Sequence, residues 1–344
     1  QLVPVVLEVP FSTLKGSSVL FVLYTLGTLS LSLGMMNNVP MMMHLGGGLV
    51  YVSLFYFSLT FLFSFRAVTR WTLVSAYLLS AGVMLLGAIS LGMALLLVMT
   101  GSGLDTDVMY LLTRHATLAL GGFVMLIVMG VSLVLLPMFA LAHNFTNIWA
   151  KLALGCMLLG MTIGIVTSYD DLMWICIGLG LLGYLIQVLH IFQCRVRKQN
   201  DYWVGNLMAS FIFLAAALVI GAMGYMNENE RLIKSAFFFT VIGFGFHFVM
   251  GHMYKILPFL IWYKYISPLV GKQKVPMLHE MIKNRAAYAQ MWLGIVGTVC
   301  LGSSIITTNT LFAGVGGALL GLSSWAALYN VWYAYGFKNK GLNK

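Results

Sequence analysis

Four histidines stand on otherwise apolar stretches of this 344-residue chain: His44, His115, His247 and His252. A neutral imidazole among apolar side chains has two ordinary employments, a hydrogen bond to a neighbouring helix or a bond to a metal, and haem iron and copper are metals that suit it. His247 and His252 are five residues apart. On a helix that is about 7.5 Å of rise and about 140° of rotation, so the two cannot ligate one metal from a single face. A pairing of His44 or His115 with His247 across a helical bundle is sterically sensible. His143, His190 and His279 fall near span ends or in a connection, where an amphipathic ring needs no further role. A second group is the run Met35-Met36-Asn37-Asn38-Val39-Pro40-Met41-Met42-Met43-His44. Its Met41, Met42, Met43 and His44 are candidate copper ligands, because thioether and imidazole together suit Cu(I). Methionine is also an ordinary filler of irregular apolar gaps, and 23 of them are scattered over the chain.

The elements that carry these residues are set by composition. With 60% hydrophobic residues, 8% charged residues and a mean hydropathy of +0.94, the chain is solvated by lipid and crosses the membrane several times. The four cysteines stand singly, without CxxC or CxxCH spacing, which argues against a disulfide framework, a zinc ribbon and covalent haem attachment. There is no Walker loop, GxSxG or HExxH, and the glycine-rich stretches Gly46-Gly47-Gly48 and 314–321 fall inside spans, where they permit close helix packing. Ten spans of roughly 20 apolar residues are expected: 17–36, 41–65, 71–100, 115–142, 149–168, 172–194, 205–226, 235–263, 291–308 and 311–335. The expected plan is an all-α polytopic protein with an N-terminal lead-in (1–16), one transmembrane helical domain (17–336) and a basic cytoplasmic tail (337–344).

Charge tests that count. Ten spans put both termini and every even-to-odd connection on one side, which then collects sixteen of the nineteen Lys and Arg residues and leaves Arg114, Arg231 and Lys234 on the other. The net charge of +10 is thus a positive-inside signal, with both termini cytoplasmic, and not a nucleic-acid signal. In that orientation His44 and His115 lie toward the outer face, while His247, twelve residues after Ser235, is near mid-membrane.

The stretch from His115 to Phe139 has a second copy of its skeleton 121 residues later, where Gly122-Phe123, Gly130, Leu136 and Pro137 recur as Gly243-Phe244, Gly251, Leu257 and Pro258. About four helices separate the copies, so an internal four-helix repeat is expected.

With its His-x-x-x-x-Leu, Gly-Phe, a further Gly and Leu-Pro, this pattern resembles the histidine-bearing helices of the haem-copper oxidase subunit I superfamily. It is most similar to the C-type oxidase catalytic subunit and its divergent bacterial relatives. Arg114-His115-Ala116-Thr117-Leu118 places His115 at the first histidine of the family's His-x-His and Thr117 at the second. The stretch from Gly251 to Phe259 and Val275-Pro276-Met277-Leu278 fit the same relatives, and His44 falls near the position of the family's low-spin haem histidine. The resemblance implies a b-type haem held by some of His115, His252, His44 and His247, a redox, electron-transfer or gas-related role concerning O2 or NO, and residence in a bacterial cytoplasmic membrane. The chain departs from the family in having no adjacent His-His pair, no second histidine at Thr117 and no carboxylate inside a span, so an intact oxygen reductase is not expected. Implied partners are the lipid bilayer, other membrane subunits or a periplasmic redox protein, with no nucleic acid. Two other classes stay open: a transporter or copper-handling protein built on the repeat, and a structural subunit of a larger membrane complex.

Overall fold

The computed structural model describes residues 7, 9, 16–102 and 106–340, with 339 and 340 as backbone only. Most of the lead-in, Asp105 and residues 341–344 lie outside the described residues. Among the described residues ten helices are long and apolar enough to cross a membrane: α1 (Ser17–Asn37), α2 (Pro40–Ala67), α3 (Leu73–Met99), α4 (Val108–Ala140), α5 (Ile148–Val166), α6 (Asp170–Gln193), α7 (Tyr202–Met226), α8 (Glu230–Leu269), α9 (Asn284–Thr307) and α10 (Thr310–Tyr335). A short α11 (Phe337–Lys340) comes after them, and Phe337 packs with Ile261, Ile266, Met281 and Ala334, so the expected tail begins as buried structure. Among the described residues the only strand-like pairing is an isolated bridge between Ala142 and Arg195. This is an all-helical, multi-pass membrane protein. The chain forms two compact units, Gln1–Arg197 with α1 to α6 and Lys198–Lys344 with α7 to α11.

Three helices begin five or more residues earlier than hydropathy places them. α4 starts at Val108 and not at His115, α8 at Glu230 and not at Ser235, and α9 at Asn284 and not at Met291. Hydropathy stops where polar residues begin, but backbone hydrogen bonding continues into a solvated first turn if its free N–H groups are capped. Asp107 accepts from the N–H groups of Met109 and Tyr110, and Asn229 from those of Arg231 and Leu232. His115 therefore sits two turns inside α4 rather than at its mouth.

α4 and α8 share an internal plan. Each opens with nine α-helical residues, widens into a π-helical segment (Thr117–Met125 and Phe239–Phe246), and resumes as fifteen α-helical residues containing Pro137 or Pro258. A π segment shifts the helical phase of the residues after it, and such segments recur at functional sites. His115 stands two residues before the first of these, and His247 comes directly after the second.

The glycines of the repeated skeleton are packing positions. In the first unit a Cβ on Gly122 would lie 2.7 Å from Met84 and one on Gly130 2.7 Å from Tyr77, both on α3. In the second unit a Cβ on Gly243 would lie 2.7 Å from Phe213 and one on Gly251 3.3 Å from Leu207, both on α7. Lipid tails are as apolar as leucine, so helices in a membrane gain by close van der Waals approach, and glycine permits it.

Candidate functional site

In the second unit α8 carries His247 into a fully buried polar network. Asn206 on α7 donates through Nδ2 to the Tyr202 carbonyl at 2.9 Å and to Gln290 Oε1 at 3.2 Å, which leaves its Oδ1 as the acceptor for His247 Nδ1–H at 3.1 Å. His247 Nε2 then accepts from the Thr298 hydroxyl on α9 at 3.4 Å. Gln290 Nε2 donates to Ser323 Oγ on α10 at 3.3 Å, and the Ser323 hydroxyl donates to the Gln290 carbonyl at 2.7 Å. The imidazole stacks on Phe213 with centroids 5.4 Å apart, and Gly294 leaves the space its ring fills. Four helices are thus joined through His247, Asn206, Gln290 and Ser323, and both ring nitrogens of His247 are engaged.

His252 is also buried but differently bonded. Its Nδ1–H donates to the Phe248 carbonyl at 2.9 Å and its ring lies 4.3 Å from that of Phe248. This bond assigns the tautomer in which Nε2 carries the lone pair. One turn on, Lys255 pairs with Asp201 at 2.9 Å, both largely buried, and Asp201 caps the start of α7. The pair ties α8 to α7 at the end of the unit where α9 begins.

In the first unit His115 is half-buried, and its Nδ1 donates across to the Ala88 carbonyl on α3 at 2.8 Å, which assigns the same tautomer as for His252. Gly92 on α3 makes room for the ring, since a Cβ there would stand 2.8 Å from His115 Cε1. The preceding Arg114 is 4% exposed, paired with Asp170 at the start of α6 and placed over the Tyr110 ring at 4.5 Å. Thr117 spends its hydroxyl on the Thr113 carbonyl.

Met41 and Met42 are exposed and Met43 is buried, as successive 100° steps on a helix require, while His44 Nε2 lies 3.3 Å from the Ser102 hydroxyl. His143 and His279 are exposed, and His190 accepts from the Thr146 N–H. Among the described residues no group of three or more His, Cys, Asp and Glu side chains gathers as a metal site.

Sequence reasoning that looked for histidines and carboxylates passed over Asn206, Gln290, Ser323 and, in the first unit, Gln187. Gln187 accepts from the Ala150 N–H and donates to the Thr146 carbonyl, while the Tyr77 hydroxyl donates to the Ala150 carbonyl and Tyr184 shares a bond with Ser132. For Asn206 and Gln187 the available signal was an uncharged amide inside an apolar span, costly to leave unpaired; Gln290 fell one residue before its expected span.

The fold and these buried polar sets define a polytopic helical membrane protein with histidine-centred helix contacts. No family model matches the chain, and no curated protein matches it.

Proposed function

We propose that the chain is a haem-binding integral membrane protein resembling haem-copper oxidase subunit I, working in electron transfer or in the handling of O2 or NO, without a complete copper site. The observation that carries this reading is the shared bonding of His115 and His252. Each gives Nδ1–H to a backbone carbonyl and keeps Nε2 as the basic atom, the arrangement by which proteins orient an imidazole toward a metal. These two fit an axial ligand of a b-type haem. His247 fits poorly, because ligation would break its bond to Asn206 or to Thr298. His44, near the start of α2 and 3.3 Å from the Ser102 hydroxyl, keeps a weaker claim, and Met41, Met42 and Met43 beside it remain the candidate copper ligands. The haem, when bound, supplies reversible one-electron chemistry. The chain's own part is to fix the imidazole tautomers and to surround them with apolar helices.

The reading includes duplication of a four-helix unit. It is supported by the 121-residue spacing, by the common α–π–α plan of α4 and α8 and by the matching glycine contacts on α3 and α7. The reading also includes cytoplasmic termini, supported by the sixteen-to-three distribution of basic residues, and a bacterial inner membrane, which follows from the resemblance alone. The test is an absorption spectrum with metal analysis of the purified protein. A Soret band that moves on dithionite reduction is expected, and a colourless, iron-free protein produced with ample haem would refute the proposal. A second reading, a transporter for a neutral or metal substrate whose halves rock against each other, draws on the same duplication and would gain from that colourless outcome.

A further inference from the structure

One end of the second unit is strongly basic. From Tyr263 to the end of the chain there are eight Lys and Arg residues against a single acid, Glu280, and that carboxylate accepts from the Met277 N–H at 2.9 Å. Aromatic rings draw three of the lysines into place. Lys264, near the end of α8, and Lys338, on α11, both stand over the ring of Tyr265, with Nζ 5.3 and 5.5 Å from its centroid. Lys338 is also 5.5 Å from the Tyr335 ring, and Lys283, just before α9, is 4.5 Å from that of Tyr333. An ammonium group is attracted to a ring face, so these side chains give up much of the freedom of an ordinary surface lysine. Among the described residues none of Lys264, Lys283 and Lys338 pairs with a carboxylate. Two like charges gathered on one ring repel each other, and an anion placed between them turns that repulsion into attraction.

The rings that hold the lysines are themselves anchored. Tyr265 and Tyr333 pack against a buried cluster that includes Ile261, Met281 and Phe337. The Trp262 indole N–H donates to the Pro276 carbonyl at 3.0 Å and the Tyr333 hydroxyl to the Glu280 carbonyl at 3.4 Å, which ties the connection before α9 to α8 and α10. Exposed Tyr263, Trp332 and Tyr335 stand near the ends of the same two helices, where an aromatic belt marks headgroup depth. In the connection Val270, Met277 and Leu278 are exposed as well, apolar side chains among lysines, as in a segment that lies on a membrane surface. An anion at this place has lipid beside it, which favours a phospholipid over a soluble phosphate.

We propose that Lys264 and Lys338 bind the phosphate of an anionic phospholipid headgroup, with Lys283 as a flanking charge and the acyl chains along the exposed apolar faces of α8 and α10. The site is independent of any haem.

The experiment is native mass spectrometry of the full chain in mild detergent, titrated with phosphatidylglycerol or with phosphatidylcholine of the same acyl chains. Each lysine at an anionic headgroup contributes about fivefold in affinity, so Lys264→Gln combined with Lys338→Gln should weaken phosphatidylglycerol binding about twenty-five-fold and leave phosphatidylcholine unchanged. Lys264→Arg with Lys338→Arg should bind as the parent does. Lys151→Gln with Lys198→Gln removes the same charge at other span ends and should change little. Equal affinity of the parent for the two lipids, an equal loss in the Lys151 and Lys198 variant, or displacement of phosphatidylglycerol by equimolar inorganic phosphate would each overturn the proposal. Should the Lys264 and Lys338 variant fail to fold, a phosphatidylglycerol with a photoreactive headgroup decides on the parent protein. Crosslinks within 262–283 or 332–340 support the site, and crosslinks confined to other segments remove it.

Discussion

Replacing His247 by leucine separates a histidine bonded to two neighbouring helices from one bonded to its own helix. The substitution keeps volume roughly constant but removes the bonds to Asn206 and Thr298. Bonds of this kind inside membrane proteins average roughly 0.6 kcal/mol each, and stranding the fully buried Asn206 Oδ1 adds about 1–2 kcal/mol. Thr298 loses less, since a hydroxyl on a helix can turn back to its own backbone. The expected cost is about 2–3 kcal/mol, roughly a hundredfold in the unfolding equilibrium. His252→Leu removes a bond to a carbonyl within its own helix and should cost about 1 kcal/mol or less. Reversible unfolding in mixed detergent micelles, tracked by circular dichroism, measures both. The proposed function adds that His252→Leu loses haem absorbance while staying folded. A His247→Leu protein no less stable than His252→Leu would refute the reasoning, because the two bonding patterns would then carry no energetic difference.

Packing and charge give further outcomes. Gly243→Val should prevent a monodisperse fold, since even its Cβ would meet Phe213 at 2.7 Å, whereas Gly178→Val, with nothing within 4 Å, should be tolerated; size-exclusion profiles compare them. Asp170→Ala should destabilise by about 3 kcal/mol because it strands Arg114 at 4% exposure, while Arg114→Leu should cost nearer 1 kcal/mol because the Asp170 side chain is 46% exposed; equal costs in thermal unfolding would mean that burial does not govern the pair. A cysteine replacing Lys274 in a cysteine-free background should react with an impermeant thiol reagent only after the membrane is opened, and labelling of intact cells would overturn the proposed orientation.

The membrane class and the number of spans were legible because each rests on composition or local periodicity. Runs of apolar residues have to be helical in lipid, where every backbone group must be satisfied internally, so ten spans could be counted before any contact was known. Boundaries were less legible at Val108, Glu230 and Asn284, where polar first turns continue a helix that hydropathy ends. The four histidines could be named from sequence, but not sorted. His247 and His252 stand five residues apart on one apolar helix, and nothing local distinguishes the imidazole that meets Asn206 and Thr298 from the one that bonds its own helix. That difference depends on which faces of α7 and α9 lie opposite, and on the π segment ahead of His247, which resets the helical phase. Gly251 shows the same limit: its place beside His252 is plain in the sequence, but only the structure sets Leu207 and the Trp203 carbonyl against it. Sequence determined that polar side chains would be confined within apolar helices. Only the tertiary structure decided which of them meet, because a hydrogen bond depends on the angle and depth at which separate helices pack, and those are set by contacts between residues far apart in the chain, such as Gly122 with Met84 and Gly243 with Phe213.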